Sequence, residues 1–297
     1  MHMKKLPLLA AMLLAACAHM GGTQTESRPV RAVSETTLTG FAFPESVGCD
    51  ATERVLYVSN FGGTELKPGE KDGKGYIMKV ALDGKVLEQR AFNVTMNKPK
   101  GQWIEGSRLW VTDIDSVWIF DTRSKQSRRL PIPGAVFAND PAVSGGVLYV
   151  SDNRGDQVFA IEPADFLAAN TQPKVTVMAK GREINPNGLW PARDGSLLMA
   201  GFAGADKARG IQSMARGGAI QALAAPGGML DGLYEMRDGT ILYTDWKTGS
   251  LNSWTPKNGV QMLARDFKGP ADFCVMGESA YVPDLVKSEV RVIRLGR

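Results

Sequence analysis

The chain has 297 residues, 43% of them hydrophobic and 22% charged, with a formal net charge of +4. This is an ordinary globular composition, long enough for a real core, and a repeat-built β fold of this size is often a single domain. There is no basic cluster beyond Lys4-Lys5 and Arg128-Arg129, which excludes nucleic acid as a partner.

Residues 1–17 read as an address. Lys4 and Lys5 form a positive n-region, and Leu6 to Ala16 an apolar stretch too short to span a bilayer. Leu14-Ala15-Ala16-Cys17 then fits a bacterial lipobox, with Cys17 lipidated as the mature N-terminus. Ala18 follows the cysteine, and lipoproteins lacking Asp at that place go to the outer membrane, so the expected location is its periplasmic face. Residues 18–36 are polar and without periodicity, which predicts a flexible tether.

Past Cys17 only Cys49 and Cys274 remain, with no zinc-knuckle spacing and no CxxC. The compartment permits a disulfide, but two lone cysteines this far apart read first as buried free thiols. His2 lies in the address and His19 in the tether, so the body has no histidine. Ser-His-Asp chemistry and His-ligated zinc are excluded there.

From residue 37 onward a short pattern recurs: an apolar triplet, a small residue, then Asp or Asn. It appears as LYVSN (56–60), LWVTD (109–113), LYVSD (148–152), ILYTD (241–245) and AYVPD (280–284), with LLMAG (197–201) as a degraded copy. The copies start 39 to 53 residues apart, the size of a four-stranded propeller blade. An all-β, six-bladed propeller is therefore expected over 37–297. EVRVIRL (289–295) leaves the last blade one strand short, and TLTGFAF (37–43) is expected to supply that strand and close the ring. The one helix-like stretch, PADFLAAN (163–170), reads as an excursion in blade 3.

Each repeat follows an inner strand across a tight turn, such as Gly145-Gly146, Asp194-Gly195 or Asp238-Gly239. About ten residues before each repeat lies the start of that inner strand, nearest the axis. That slot holds Glu45, Lys100, Asn139, Asn187, Asp231 and Ala271-Asp272 in blades 1 to 6. Equivalent positions of a ring converge, so Glu45, Asn139, Asn187 and Asp231 are expected to meet at one mouth of the channel. Four hard oxygen donors carrying two carboxylates call for one divalent cation, calcium first, with zinc, magnesium or manganese as alternatives. The Asp or Asn closing each repeat should ring the same mouth and make its entrance acidic, in supporting roles. Lys100 reads as a solvated side chain.

FPES, NDPAVSGGVLYVSD, NPNGLWPARDG and LDGLYEMRDGTILYTDW resemble motifs of the senescence-marker-protein/gluconolactonase/luciferin-regenerating-enzyme family of six-bladed propellers, a resemblance running over residues 37–295. It implies that Glu45, Asn139, Asn187 and Asp231 hold one divalent metal, usually calcium or zinc, that Asp231 is the acid/base candidate, and that the substrate is a lactone. The sugar-lactone hydrolases have an Arg where this chain has Phe137, which argues against a sugar lactone. Phe137, Trp103 and Trp190 are expected to give the mouth an apolar wall suited to a less polar lactone or ester. The leading expectation is a monomeric, metal-dependent hydrolase, lipid-anchored at Cys17, with Asp231 or Glu45 accepting the proton. The alternative is a non-catalytic anchored propeller, a binding or scaffold module whose metal only ties blades together.

Overall fold

The computed structural model describes residues 28–181, 184–203, 209–224 and 228–297. The address, the lipobox with Cys17, and the tether up to residue 27 lie outside them. Among the described residues, strand β1 (Arg31–Leu38) leads into six four-stranded sheets. Blade 1 is β2 (Pro44–Asp50), β3 (Val55–Asn60), β4 (Tyr76–Ala81) and β5 (Val86–Glu88). Blade 2 is β6 (Pro99–Glu105), β7 (Arg108–Asp113), β8 (Ser116–Asp121) and β9 (Ser127–Pro131). Blade 3 is β10 (Ala138–Ser144), β11 (Val147–Asp152), β12 (Gln157–Glu162) and β13 (Lys174–Lys180). Blade 4 is β14 (Pro186–Pro191), β15 (Leu197–Gly201), β16 (Ile211–Met214) and β17 (Ile220–Ala224). Blade 5 is β18 (Leu230–Glu235), β19 (Ile241–Asp245), β20 (Ser250–Thr255) and β21 (Gly259–Ala264). Blade 6 is β22 (Cys274–Met276), β23 (Ser279–Asp284) and β24 (Glu289–Gly296), with β1 as its outermost strand. The chain is a six-bladed propeller, and every copy of the sequence repeat is the second strand of its blade.

The ring closes with the N-terminal strand, but earlier in the chain than TLTGFAF. β1 pairs with β24 from Arg31↔Gly296 to Leu38↔Val290, so residues 31–36 are strand and not tether. The sequence hides this because β1 is an exposed outer edge with no apolar alternation to betray it. It is held at its ends by buried Val30 and Leu38, and in its middle by Glu35, whose carboxylate accepts from Nε and Nη2 of Arg291. A second clasp joins the innermost strands of blades 6 and 1. Cys49 of β2 and Cys274 of β22 form a disulfide spanning 225 residues, where free thiols were expected. Sequence separation gave no hint, because circular closure makes the first and last inner strands neighbours.

The turns follow their glycines. Gly145 and Gly146 both take positive φ, 58° and 80°, as a two-residue hairpin of the primed type requires. At Asp194-Gly195 and Asp238-Gly239 only the glycine is left-handed, and its amide donates back to Ala192 or Met236 at 3.0 Å. Apolar faces of neighbouring blades fill the seams, for example Trp110, Val117 and Ile119 against Leu148, Val150, Phe159 and Ile161. PADFLAAN forms bends and turns and no helix. Eight residues are too few to offset helix nucleation. Here Phe166 is buried and Arg128 donates to the carbonyls of Phe166, Ala168 and Thr171, satisfying this backbone without helical bonds.

The repeat itself has a structural reason. Its small residue bridges to the next blade: Ser59 Oγ donates to the Lys100 carbonyl (2.7 Å), Thr244 Oγ1 to that of Ala271 (3.1 Å), and Thr112 Oγ1 to that of Asn139. Its final carboxylate holds the loop entering the inner strand. Asp113 accepts from the amides of Asn97 and Lys98 (2.9 and 2.8 Å), Asp152 from Val136 and Phe137 (both 2.8 Å), and Asp284 from Lys268 and Gly269 (2.8 and 3.1 Å). These carboxylates are buried and spent on N–H groups. They support the mouth and do not make its entrance acidic.

Candidate functional site

In blades 1 to 5 the pairing of inner and second strand slips at the predicted slot, between Pro44 and Ser46, Pro99 and Gln102, Ala138 and Pro141, Pro186 and Leu189, and Leu230 and Leu233. A slip of this kind turns a side chain out of the sheet, and three of these strands begin with Pro, which has no ladder N–H to give. The first slipped residue is Glu45, Lys100, Asn139, Asn187 or Asp231. In blades 2, 4 and 5 the next is Gly101, Gly188 or Gly232, and the reason is space. A Cβ on Gly188 would lie 2.1 Å from the Asp231 carbonyl oxygen, and one on Gly232 2.9 Å from Asp272 Cα.

Glu45, Asn139, Asn187 and Asp231 are all buried at this mouth. The Asn139 amide donates to Asn187 Oδ1, Asn187 hydrogen-bonds to Asp231, and Asp231 Oδ2 accepts from Trp246 Nε1 at 2.8 Å. Glu45 sits within electrostatic reach of Asp231, and its Oε2 has no hydrogen-bond partner among the described residues. Burial, then Asp231, holds the Glu45 carboxyl well above the usual carboxylate range. Burial, reinforced by Asp272, pushes Asp231 up to about 8 against the opposing pull of Trp246 and Asn187.

Lys100 is buried and not solvated. Its ammonium donates to the Lys98 carbonyl at 3.2 Å and lies 4.2 Å from the Phe137 ring centre. Burial drives it down to about 8, partly offset by Glu45 and Asp113. Sequence reasoning put Lys100 in the right slot but gave it solvent, because a lone lysine usually reaches water.

Two further carboxylates lie deeper in the channel. Asp272 accepts from Ser46 Oγ at 2.6 Å, and Asp140 Oδ2 from the Leu189 amide at 2.6 Å. Burial raises Asp272 to about 7, and burial with Asp272 beside it raises Asp140 well above its ordinary value. The signal was in the sequence, since both are the second residue of the slot where other blades carry Gly.

The expected apolar wall divides. Phe137 belongs to this mouth, its ring centre 4.2 Å from the Lys100 ammonium and 4.0 Å from the Arg154 guanidinium. Trp103 and Trp190 do not. Each lies three residues beyond its slot, roughly 10 Å further along an inner strand, and both line a cavity at the other end of the channel. Beside Asp231 the aromatic surface is instead Trp246, packed edge-on with Phe202 at 6.1 Å.

The donor chemistry of the mouth fits a hard divalent cation. Two carboxylates and two amides offer oxygen, one carboxylate oxygen is buried without a partner, and Lys100 is a single cation set against the two carboxylates Glu45 and Asp231. Among the described residues no three His, Cys, Asp or Glu side chains form a metal-binding group, so a cation here would depend on the amide oxygens.

No protein-family model matches the chain, and no curated protein matches it. Solved structures do. A gluconolactonase from Xanthomonas campestris is similar with TM-score 0.67 and 15% identity over 91% of this chain and 96% of that one. Virginiamycin B lyase from Staphylococcus aureus is similar with TM-score 0.61 and 13% identity, covering 90% of this chain and 99% of that one. The catalytically inactive histidine-to-alanine form of that lyase, with quinupristin, gives TM-score 0.57 and 13% identity over 88% and 99%. At these identities the likeness is one of fold.

Proposed function

We propose that the chain is a divalent-metal-dependent hydrolase of a lactone or related ester, acting at the mouth formed by Glu45, Asn139, Asn187 and Asp231. The observation that carries this reading is the common slip of the inner strands, which aims those side chains at one point and leaves Glu45 Oε2 unpartnered. Glu45, Asn139, Asn187 and Asp231 would hold the cation, which when bound supplies polarisation of a carbonyl and a more acidic water. Asp231, oriented by Trp246 and Asn187, takes a proton from the attacking water and returns it to the oxygen released when the ring C–O bond breaks. Lys100 offers an ammonium beside Glu45, and Phe137 excludes water from that side.

The likeness to a gluconolactonase supports a hydrolase and the likeness to a lyase does not extend to its chemistry. That lyase is inactivated by loss of a histidine, whereas the only histidines here are His2 and His19. Phe137 favours a substrate less polar than a sugar lactone. Export with lipid on Cys17 is supported by the Cys49–Cys274 disulfide, which suits an oxidising compartment.

The test is metal content together with hydrolysis of aliphatic, aryl and sugar lactones under excess calcium or zinc. Asp231→Asn should lower the rate on the order of a hundredfold or more. Asp238→Asn should leave the rate unchanged: Asn keeps the acceptor for the Thr240 amide (3.0 Å), and the ion pair of Asp238 Oδ2 with Arg297 (2.6 Å) that it loses is partly exposed and lies in a turn, so only stability is touched. A wild type without bound metal or lactone hydrolysis overturns the proposal and leaves the anchored binding module.

A further inference from the structure

The opposite end of the channel carries a second set of converging side chains that hydrolysis at the first mouth does not use. Trp103, Trp190 and Tyr234 sit there half-buried, the first two rings 5.3 Å apart and the last two 4.7 Å apart. Blade 3 presents only Pro141 and Ala142 at this level, which lets Trp103 reach across to Trp190. These rings line a cavity of 320 Å³ whose inner end is formed by Asp140, Asp272 and Gln102. No Lys or Arg is among its described lining residues.

The inner end has acceptors to spare. Gln102 spends its amide N–H groups on the carbonyls of Ser46 and Tyr57, both at 3.1 Å, and its Oε1 is left unpartnered. Asp140 Oδ1 is likewise buried without a partner. Buried acceptors of this kind are costly to leave unmade.

We propose that this cavity binds a primary organic ammonium ion carrying a compact apolar body. The volume holds on the order of ten water-sized groups, the size of a small aryl or alkyl amine. An ammonium group has three N–H donors for Asp140 Oδ1 and Gln102 Oε1, and aromatic faces attract a cation while packing its apolar part. An anionic ligand would meet two buried carboxylates, and a neutral apolar one would leave both acceptors unpaired. This site is independent of the lactone reading.

Calorimetric titration of the full-length protein with 2-phenylethylammonium, 2-phenylethanol and phenylacetate tests it. The ammonium should bind at least about tenfold more tightly than the alcohol, since hydrogen bonds to a charged group are the stronger ones. Phenylacetate should give no binding heat. Asp140→Asn and Trp190→Leu should each weaken the ammonium by about tenfold, while Phe137→Leu at the other mouth, which changes no charge, should alter it less than about twofold. Should Asp140→Asn fail to fold, Trp190→Leu and the alcohol comparison still decide. Equal affinity for ammonium and alcohol, insensitivity to Trp190→Leu, loss of binding in Phe137→Leu, or uptake of calcium with no organic ion would each overturn the proposal.

Discussion

Deleting the chain through Glu35 cuts the closing strand in its middle, and the structure allows the cost to be worked out. Val30, 4% exposed, is lost from the seam, worth about 2 kcal/mol. The pairings of Arg31, Ala32, Ser34 and Glu35 with β24 are lost as well, at about 0.5 to 1 kcal/mol net for each, or roughly 2 to 4 kcal/mol together. Arg291 loses the Glu35 carboxylate but keeps the Arg265 carbonyl at 2.7 Å and the Phe267 ring at 3.7 Å. Because Glu35 is partly solvated, that ion pair adds only about 1 kcal/mol. The total is about 5 to 7 kcal/mol against a typical folding stability of about 5 to 15 kcal/mol, equivalent to a fall in melting temperature of roughly 10 to 25 °C. Deletion through Pro29 removes nothing from the ladder and should melt within about 2 °C of the full chain. Thermal unfolding followed by circular dichroism compares the two. If they melt together, β1 is not what closes the ring.

The disulfide makes a second contribution to closure. In the chain-entropy view, a loop of 225 residues gives an upper value of about 5 kcal/mol, so Cys49→Ser with Cys274→Ser should cost about 2 to 5 kcal/mol in denaturant unfolding, and no change in midpoint would refute that. The channel carboxylates should also make stability depend on pH. Asp272 and Asp231, whose ordinary value is 3.8, are raised to about 7 and about 8, so the folded protein holds protons that the unfolded chain has already released. Metal-stripped protein should therefore lose stability progressively as pH rises from about 4 to about 8, and excess calcium should diminish the loss. Melting temperatures measured across that range with chelator and with calcium test this, and a flat profile in chelator would contradict the assigned burial.

Much of the architecture was legible because a propeller writes its blade into the sequence once per repeat. LYVSN, LWVTD, LYVSD, LLMAG, ILYTD and AYVPD all proved to be second strands, and counting back from them reached the slipped position of the inner strand in blades 1 to 5. What stayed hidden depends on circular closure or on depth. β1 has a polar sequence indistinguishable from a tether, and only the distant Arg291 gives Glu35 its place. Cys49 and Cys274 become neighbours only once the ring is closed. Trp103 and Trp190 were assigned to the wrong mouth because position along an inner strand, invisible in composition, decides which end a side chain serves. Lys100 was given to solvent because its burial comes from packing across blades.

A single slip in register accounts for both ends of the channel. Its first residue is turned toward the first mouth, where blades 1, 3, 4 and 5 supply Glu45, Asn139, Asn187 and Asp231. Its second residue faces the neighbouring blade at such close range that blades 2, 4 and 5 can only use Gly101, Gly188 and Gly232 there. Blades 1, 3 and 6 depart from that pattern with Ser46, Asp140 and Asp272, and each departure brings a bond across a seam. Asp272 accepts from Ser46 between blades 6 and 1, and Asp140 accepts from Leu189 between blades 3 and 4. The remaining oxygen of Asp140, close against Gly101 and without a hydrogen-bond partner, is the acceptor the proposed ammonium would take up. Adjacent residues of one strand, Asn139 and Asp140, thus serve opposite ends of the channel, so the two ends can change their ligands by substitution without rebuilding the propeller that holds them.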